Sequence, residues 1–327
     1  MNILIVNNGI LPVLKYGGTE RVIWYLGREL SKLGHDITYL VAKGSHCPFG
    51  KVLTLDNSRP YNEQIPDYID VVQFCFLPRQ TIDKPYIVAM GGNINTQEEI
   101  DINTLFVSKN HAERYGSDSY IHNGLDWNEF PKPNLNNKRR YLHFLAKAAW
   151  KIKNVKAAIR IAQKSQEQIQ VMGGHRINFN MGFRLTLTPR AKFCGFVDDA
   201  QKAKVMNESK GLLFPVLWHE PFGLSLTESL YFGCPVFGTP YGSLPEIITK
   251  EVGFLSNNED KLVQAVLGAG DFNKTRCHEY ARDVFDAKTM TLKYVKRYEK
   301  VLNGETLNDV PPKLKVVQEG KFLEYLY

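Results

Sequence analysis

Two carboxylates with seven residues between them, Glu220 and Glu228, bracket the stretch of this chain best suited to chemistry. It runs Gly-Leu-Leu-Phe-Pro-Val-Leu-Trp-His-Glu-Pro-Phe-Gly-Leu-Ser-Leu-Thr-Glu over 211–228. The apolar run Gly211 to Val216 reads as a buried strand. A Pro-interrupted turn follows, and an amphipathic helix pattern opens near Gly223. A helix start carries unpaired N–H groups and partial positive charge, so it attracts anions. Phe222, Gly223 and Leu224 supply those amides. A carboxylate inside the helix, Glu228, repels phosphate but accepts two hydrogen bonds from a diol such as ribose. The ligand this chemistry implies has a diphosphate in the middle and hydroxyl-rich groups at both ends.

The elements that must position these residues alternate between strand and helix. Ile3–Val6 is a buried-type strand, and Gly17-Gly18 precedes a helix with Thr19 as its cap. Val22, Ile23, Leu26, Leu30 and Leu33 recur at helical spacing, Gly34 ends the helix, and His35 to Ala42 is the second strand. This β-α-β start lacks G-x-G-x-x-G, which argues against a dinucleotide oxidoreductase. Further strands are expected at 70–74, 86–90 and 105–108, with 46–66 irregular and the Pro-, Asn- and Lys-rich 129–140 a linker. The alternation then repeats. Tyr141–Leu145 is a strand, and Lys147, Lys151, Lys153 and Lys156 cluster before and inside the next helix. Ile169 to Gly174 is a strand running into a glycine pair. Arg176 follows, to reach a phosphate or face solvent. Ser243 and Glu246 have capping-box spacing.

H-E-P-F-G-L-S-L-T-E-S-L, followed by G-C-P-V-F-G-T-P-Y-G-S-L-P-E, resembles the E-x7-E region of retaining glycosyltransferases of the GT-B fold, family 4. G-G-T-E-R resembles that family's first-loop glycine motif, and I-H-N-G-L-D its I-x-N-G-x-D segment. The resemblance implies an α/β GT-B fold, two Rossmann-like β/α/β domains facing each other across a cleft. Residues 1–136 would form the acceptor-side domain and 137–289 the donor-binding domain, with about 290–327 packing back on the first. It also implies that Glu220 holds the sugar and Glu228 the ribose, and that Gly17 and Gly18 lie against donor phosphates or sugar. Gly173 and Phe196 would border the nucleotide, and Lys147 and Lys153 the diphosphate. Two departures stand out. Gly91 occupies the place of a histidine that touches the reacting sugar. Lys147 replaces an arginine, keeping charge but losing bidentate geometry.

The chain has 327 residues and a formal charge of +7, enough for about two domains. Its basicity fits an anionic sugar-nucleotide or a peripheral contact with an anionic membrane. Nucleic acid is disfavoured because no basic run interleaved with aromatics occurs. The C-terminal residues 303–327 are expected to pack on the first domain, with membrane contact as the weaker reading. No signal peptide or spanning segment is visible, so a cytoplasmic location is expected, at the cytosolic face of a membrane if associated. Five scattered cysteines read as reduced. There is no D-x-D motif, so neither a metal nor a cofactor is expected. The expected reaction is retaining, metal-independent transfer of a hexosyl group from a nucleotide-sugar, UDP-sugar slightly favoured over GDP-sugar. The acceptor is the hydroxyl of a cell-surface glycan or lipid-linked precursor. A catalytically silent donor-binding subunit, or a GT-B epimerase or phosphorylase, is the alternative.

Overall fold

The computed structural model describes residues 1–13, 17–179 and 181–327. The chain forms two compact units. One comprises Met1–Trp127 with Phe285–Gln318, the other Asn128–Val284 with Glu319–Tyr327.

The first unit begins with β1 (Asn2–Val6), α1 (Gly18–Lys32), β2 (Asp36–Val41) and β3 (Lys51–Thr54). It continues with β4 (Val71–Phe74), β5 (Tyr86–Met90), β6 (Thr104–Phe106) and α2 (Lys109–Arg114). The strands form one sheet in the order β3-β2-β1-β4-β5-β6, parallel throughout. β1 is apolar after Asn2 and β4 is buried throughout, its one polar side chain being Gln73, because helices and loops cover both faces of such a sheet. β3 falls inside the segment expected to be irregular.

The second unit contains β7 (Tyr141–Leu145), α3 (Val155–Lys164), β8 (Ile169–Met172), and the short strands β9 (Ile177–Asn178) and β10 (Arg184–Leu185). Then come β11 (Ala191–Gly195), α4 (Asp199–Met206), β12 (Ser209–Phe214), α5 (Leu224–Tyr231) and β13 (Val236–Gly238). α6 (Leu244–Ile247), β14 (Gly253–Leu255), α7 (Glu259–Leu267) and α8 (Lys274–Val284) complete it. Its six-stranded sheet is also parallel, in the order β11-β8-β7-β12-β13-β14, while β9 and β10 form a separate antiparallel pair. Leaving that pair aside, both sheets have the doubly wound order 3-2-1-4-5-6. Its switch point, where the order reverses, lies between the first and fourth strands, and ligands bind there beyond the carboxyl ends.

The last helix, α9 (Ala287–Leu302), returns to the first unit, where the Tyr298 hydroxyl donates to Gln73 Oε1 on β4 at 2.5 Å. Residues 319–327 then join the second unit instead of following the segment before them. Tyr325 is buried there, and its hydroxyl meets Glu259 at 3.2 Å. The division after Trp127 also lies earlier than position 136. The reason is that 129–140 is not a loose linker. Phe130 packs edge-to-face on Tyr231, and Arg139 donates to the carbonyls of Met206, Ser209 and Phe232.

Candidate active site

The site of the second unit is built at its switch point, from the loops that leave β7 and β12. After β7 the chain makes a single 3-10 turn, Lys151–Lys153, then enters α3 through Asn154, whose side chain accepts from Ala157 N. That turn buries Lys153. After β12 the chain crosses to α5, and Leu217 N donates to Ile152 O at 2.7 Å, joining the two loops directly.

Across this junction Lys153 Nζ lies 2.5 Å from Glu220 Oε2, both groups buried. Trp218 Nε1 donates to the same oxygen at 2.8 Å. The ammonium also sits over the rings of Trp218 (4.9 Å) and Phe214 (5.3 Å), a cation–π setting that holds it without neutralising it. Trp150 meets Trp218 edge-to-face at 6.5 Å, and Lys147 Nζ lies 5.5 Å from the Trp150 ring. Lys147, Trp150, Trp218, Lys153 and Glu220 therefore form one ladder of cations, rings and a carboxylate. Sequence reading found its three charged members and missed both tryptophans. Their signal was proximity: each stands within three residues of a charged candidate.

The loop after β13 fixes the Glu220 segment from the side. Thr239 Oγ1 donates to Val216 O, Ser243 N to Glu220 O (2.9 Å), and Ser243 Oγ to Phe222 O (2.7 Å). Gly242 adopts a left-handed φ of 64°, and a Cβ there would fall 2.3 Å from both the N and the O of Glu220. Only glycine permits that approach. The expected capping box at Ser243 is thereby overturned. Its hydroxyl is spent on Phe222 and makes no cap for α6.

α5 opens at Gly223, which has a left-handed φ of 83° and no side chain to cap the helix, and its first turn holds no acidic residue. Its positive end is therefore not compensated by α5 itself. Phe222 is buried beside it. Within α5, Glu228 is buried and pairs with Lys202 Nζ at 2.7 Å, while Lys202 also reaches Asp199 at 2.8 Å. Sequence reading placed an acid at 228 and missed its cation, which α4 delivers four residues after its Asp198 cap.

The glycine pair after β8 acts on the lysine loop. Gly173 has φ 106°, and a Cβ there would lie 2.2 Å from Ala146 O; Gly173 O accepts from Ala148 N at 2.8 Å. Gly173 thus backs the Lys147 loop. Phe196 is 43% exposed and meets His175 edge-to-face. Arg176 is a structural residue, donating to the carbonyls of Thr186, Thr188 and Ala191. Beneath the site, buried His143 bridges Ser209 (Nδ1, 2.6 Å) and Ser229 (Nε2, 2.9 Å), tying β7, β12 and α5 together. Burial, reinforced by the charge of Arg139, lowers its pKa to about 3, so it is neutral at physiological pH.

Gly17 and Gly18 lie in the first unit, where Gly17, not Thr19, caps α1. Glu20 stands in that helix's first turn, and its carboxylate would lie 2.8 Å from a Cβ on Gly17. A Cβ on Gly91 would meet Thr19 Oγ1 at 3.5 Å, an ordinary contact. Among the described residues, no group of three His, Cys, Asp or Glu side chains is arranged to hold a metal ion.

Two Rossmann-like units in one chain, each with a six-stranded parallel sheet in the order 3-2-1-4-5-6, are those of the two-domain GT-B fold. Residues 126–276 match the family described as glycosyl transferases group 1. The chain is similar to a Klebsiella pneumoniae protein described as an uncharacterized 41.2 kDa protein in cps region. Identity there is 32% over 114 residues, 33% of this chain and 32% of that one, so the match spans about a third of the relative's length. Among solved structures, AviGT4, a glycosyltransferase involved in avilamycin A biosynthesis, superposes with a TM-score of 0.73 at 17% identity, over 93% of this chain and 99% of that one. Anabaena HepE in complex with UDP-glucose gives 0.64 at 14% identity, over 91% and 99%. At these identities the structural likeness shows the fold.

Proposed function

We propose that this protein is a retaining glycosyltransferase of family 4. It moves a hexosyl group from a nucleotide-sugar, UDP-sugar before GDP-sugar, to a hydroxyl of a cell-surface glycan or its lipid-linked precursor. The observation that carries this reading is the buried Lys153–Glu220 pair at the switch point of the second sheet, beside the start of α5, whose first turn holds no acid. The family match of 126–276 and the UDP-glucose bound by a structural neighbour support it.

Cleaving a sugar–diphosphate bond builds negative charge on the leaving phosphate and positive charge on the anomeric carbon. Lys147, Lys153 and the α5 amides around Gly223 are preorganised for the first, which is where electrostatic catalysis is strongest. Glu220 accepts from sugar hydroxyls and favours the cationic carbon. Glu228, held by Lys202, faces the ribose diol. Phe196 covers the base. The bond from the anomeric carbon to the phosphate oxygen breaks as the acceptor oxygen bonds to that carbon on the same face. The acceptor's proton passes to the leaving phosphate oxygen. No protein nucleophile is needed. The diphosphate charge is met by lysines and amides in a chain without D-x-D, so the reaction is metal-independent. The enzyme works in the cytoplasm, at the cytosolic face of a membrane if associated with one.

Gly91, in the place of a sugar-contacting histidine, favours a second reading, a silent donor-binding subunit. Incubation with a panel of UDP- and GDP-sugars separates the two. Slow sugar release that disappears in Glu220→Gln supports the transferase. Nucleotide binding with no release or transfer from any donor would sink it.

A further inference from the structure

The β9–β10 hairpin is built inside out. From 177 to 187 every odd position is apolar: Ile177, Phe179, Met181, Phe183, Leu185 and Leu187. Period-2 alternation ordinarily turns the apolar side inward. Here Phe179 is 77% exposed and Leu187 80%, while Arg184 and Thr186, on even positions, are 8% exposed. Among the described residues this is the densest run of exposed large apolar side chains. Contiguous patches of this kind mark contact surfaces.

The inward polar side chains have an identifiable task. Asn178 Nδ2 donates to Gly182 O at 3.1 Å, Arg176 to the carbonyls of Thr186 and Thr188, and Arg184 to His175 O. Side chains thus meet two of the hairpin's carbonyls, those of Gly182 and Thr186. Backbone that enters an apolar lipid phase needs that internal satisfaction, since no water is there to supply it. Charge at the tip is positive. Lys151 Nζ lies 3.0 Å from where a side chain on Gly182 would begin, and the chain as a whole carries +7. Interfacial elements that combine an apolar face with flanking basic residues bind anionic bilayers.

We propose that the hairpin 177–187 docks the protein on an anionic lipid bilayer, Phe179 and Phe183 entering the acyl boundary while Lys151 meets the headgroups. This rests on the hairpin and is independent of the transferase reading. Because Lys151 begins the turn that ends in Lys153, the docked hairpin holds the donor-side loops close to the lipid surface.

The test is co-sedimentation of the full chain with vesicles of phosphatidylcholine and phosphatidylglycerol, comparing wild type with Phe179→Ser/Phe183→Ser. Wild type is expected to partition onto the vesicles, and the double variant at least roughly tenfold less, as loss of two buried phenyl rings requires. The thermal midpoint and nucleotide binding in vesicle-free buffer should stay unchanged, because both rings are exposed. Equal partitioning of the two proteins, or no partitioning of wild type, overturns the proposal. A wild-type dimer that the double substitution dissociates, without vesicle binding, also overturns it and assigns the hairpin to a second copy of the chain.

Discussion

The two units wind the same strand order around different switch points. In the second, β7 and β12 lead into Lys147, Lys153 and Glu220, and α5 begins with no acid of its own. In the first, β1 and β4 lead into Asn7-Asn8-Gly9 and Cys75-Phe76-Leu77, and α1 carries Glu20 in its first turn. The first turn of α1 carries an acid that favours its positive end, and the first turn of α5 carries none. Their central networks differ as well. Gln73–Tyr298 joins strand to helix in the first unit, and His143 with two serines does so in the second. A shared scaffold therefore does not fix the chemistry; a few side chains on the loops do.

The sharpest way to break that contrast is to remove the same charge from each unit. Glu220→Gln should cut donor hydrolysis and transfer by about 100- to 1000-fold, the scale expected when a preorganised electrostatic group is lost. Glu20→Gln should cost less than about tenfold on the same scale of effects. Equal damage from both, measured as kcat on one donor, would erase the distinction.

A second comparison concerns stability. Lys153→Met strands Glu220 as a buried, unpaired carboxylate, which should cost about 3–5 kcal/mol in urea unfolding. Arg28→Met in the first unit removes an ion pair with buried Asp126, but Lys32 at 3.7 Å remains as a second cation, so its loss should be smaller. A larger loss at Arg28 would reverse the order.

Acid should weaken both units. His143 and, in the first unit, His111 have pKa values held down to about 3, each by burial first and by a nearby arginine second. The unfolded chain, titrating near 6.5, takes up these protons first. Each histidine's contribution is therefore complete above about pH 6.5 and lost as pH falls towards 3. From about pH 6.5 to about pH 5 the loss should approach about 2 kcal/mol per histidine. His143→Gln should flatten the dependence of the second unit alone; an unchanged pH slope in that variant would exclude His143 as the source.

The smallest effect is expected at Lys147, which holds no ion pair with the buried carboxylate and rests against Trp150. Lys147→Ala should lower kcat by less than about tenfold, because Lys153 and the α5 amides still face the leaving phosphate, and shift stability by less than about 0.5 kcal/mol. A loss of kcat as deep as that of Glu220→Gln would place it with the central pair.

Much of the fold was legible because parallel strands covered on both faces read as plain apolar runs, as at Ile3–Val6 and 211–216. Glu220 and Glu228 were legible because they flank a glycine-marked helix start, and Lys147 and Lys153 because their places resemble the family's diphosphate-binding segment. What the linear order hid were partners from distant loops. Lys202 meets Glu228 from another helix, Trp218 of the loop after β12 lies over Lys153 of the loop after β7, and Gly242 lies against Glu220 across a strand crossover. The hairpin was missed for a different reason. Its alternation is strong, but alternation says which residues share a face and not whether that face looks inward. Ser243 misled because its hydroxyl had two local uses, and tertiary packing chose the carbonyl of Phe222 over the helix cap.

The lock between the loops after β12 and β13 bears on re-engineering. Thr239, Gly242 and Ser243 bind the backbone of 216–222 so closely that neither loop has an independent shape. Grafting the Glu220 segment from a relative without its companion around 239–243 would therefore transplant a sequence but not a geometry. The two should be exchanged as one cassette, and diversity libraries should leave position 242 untouched.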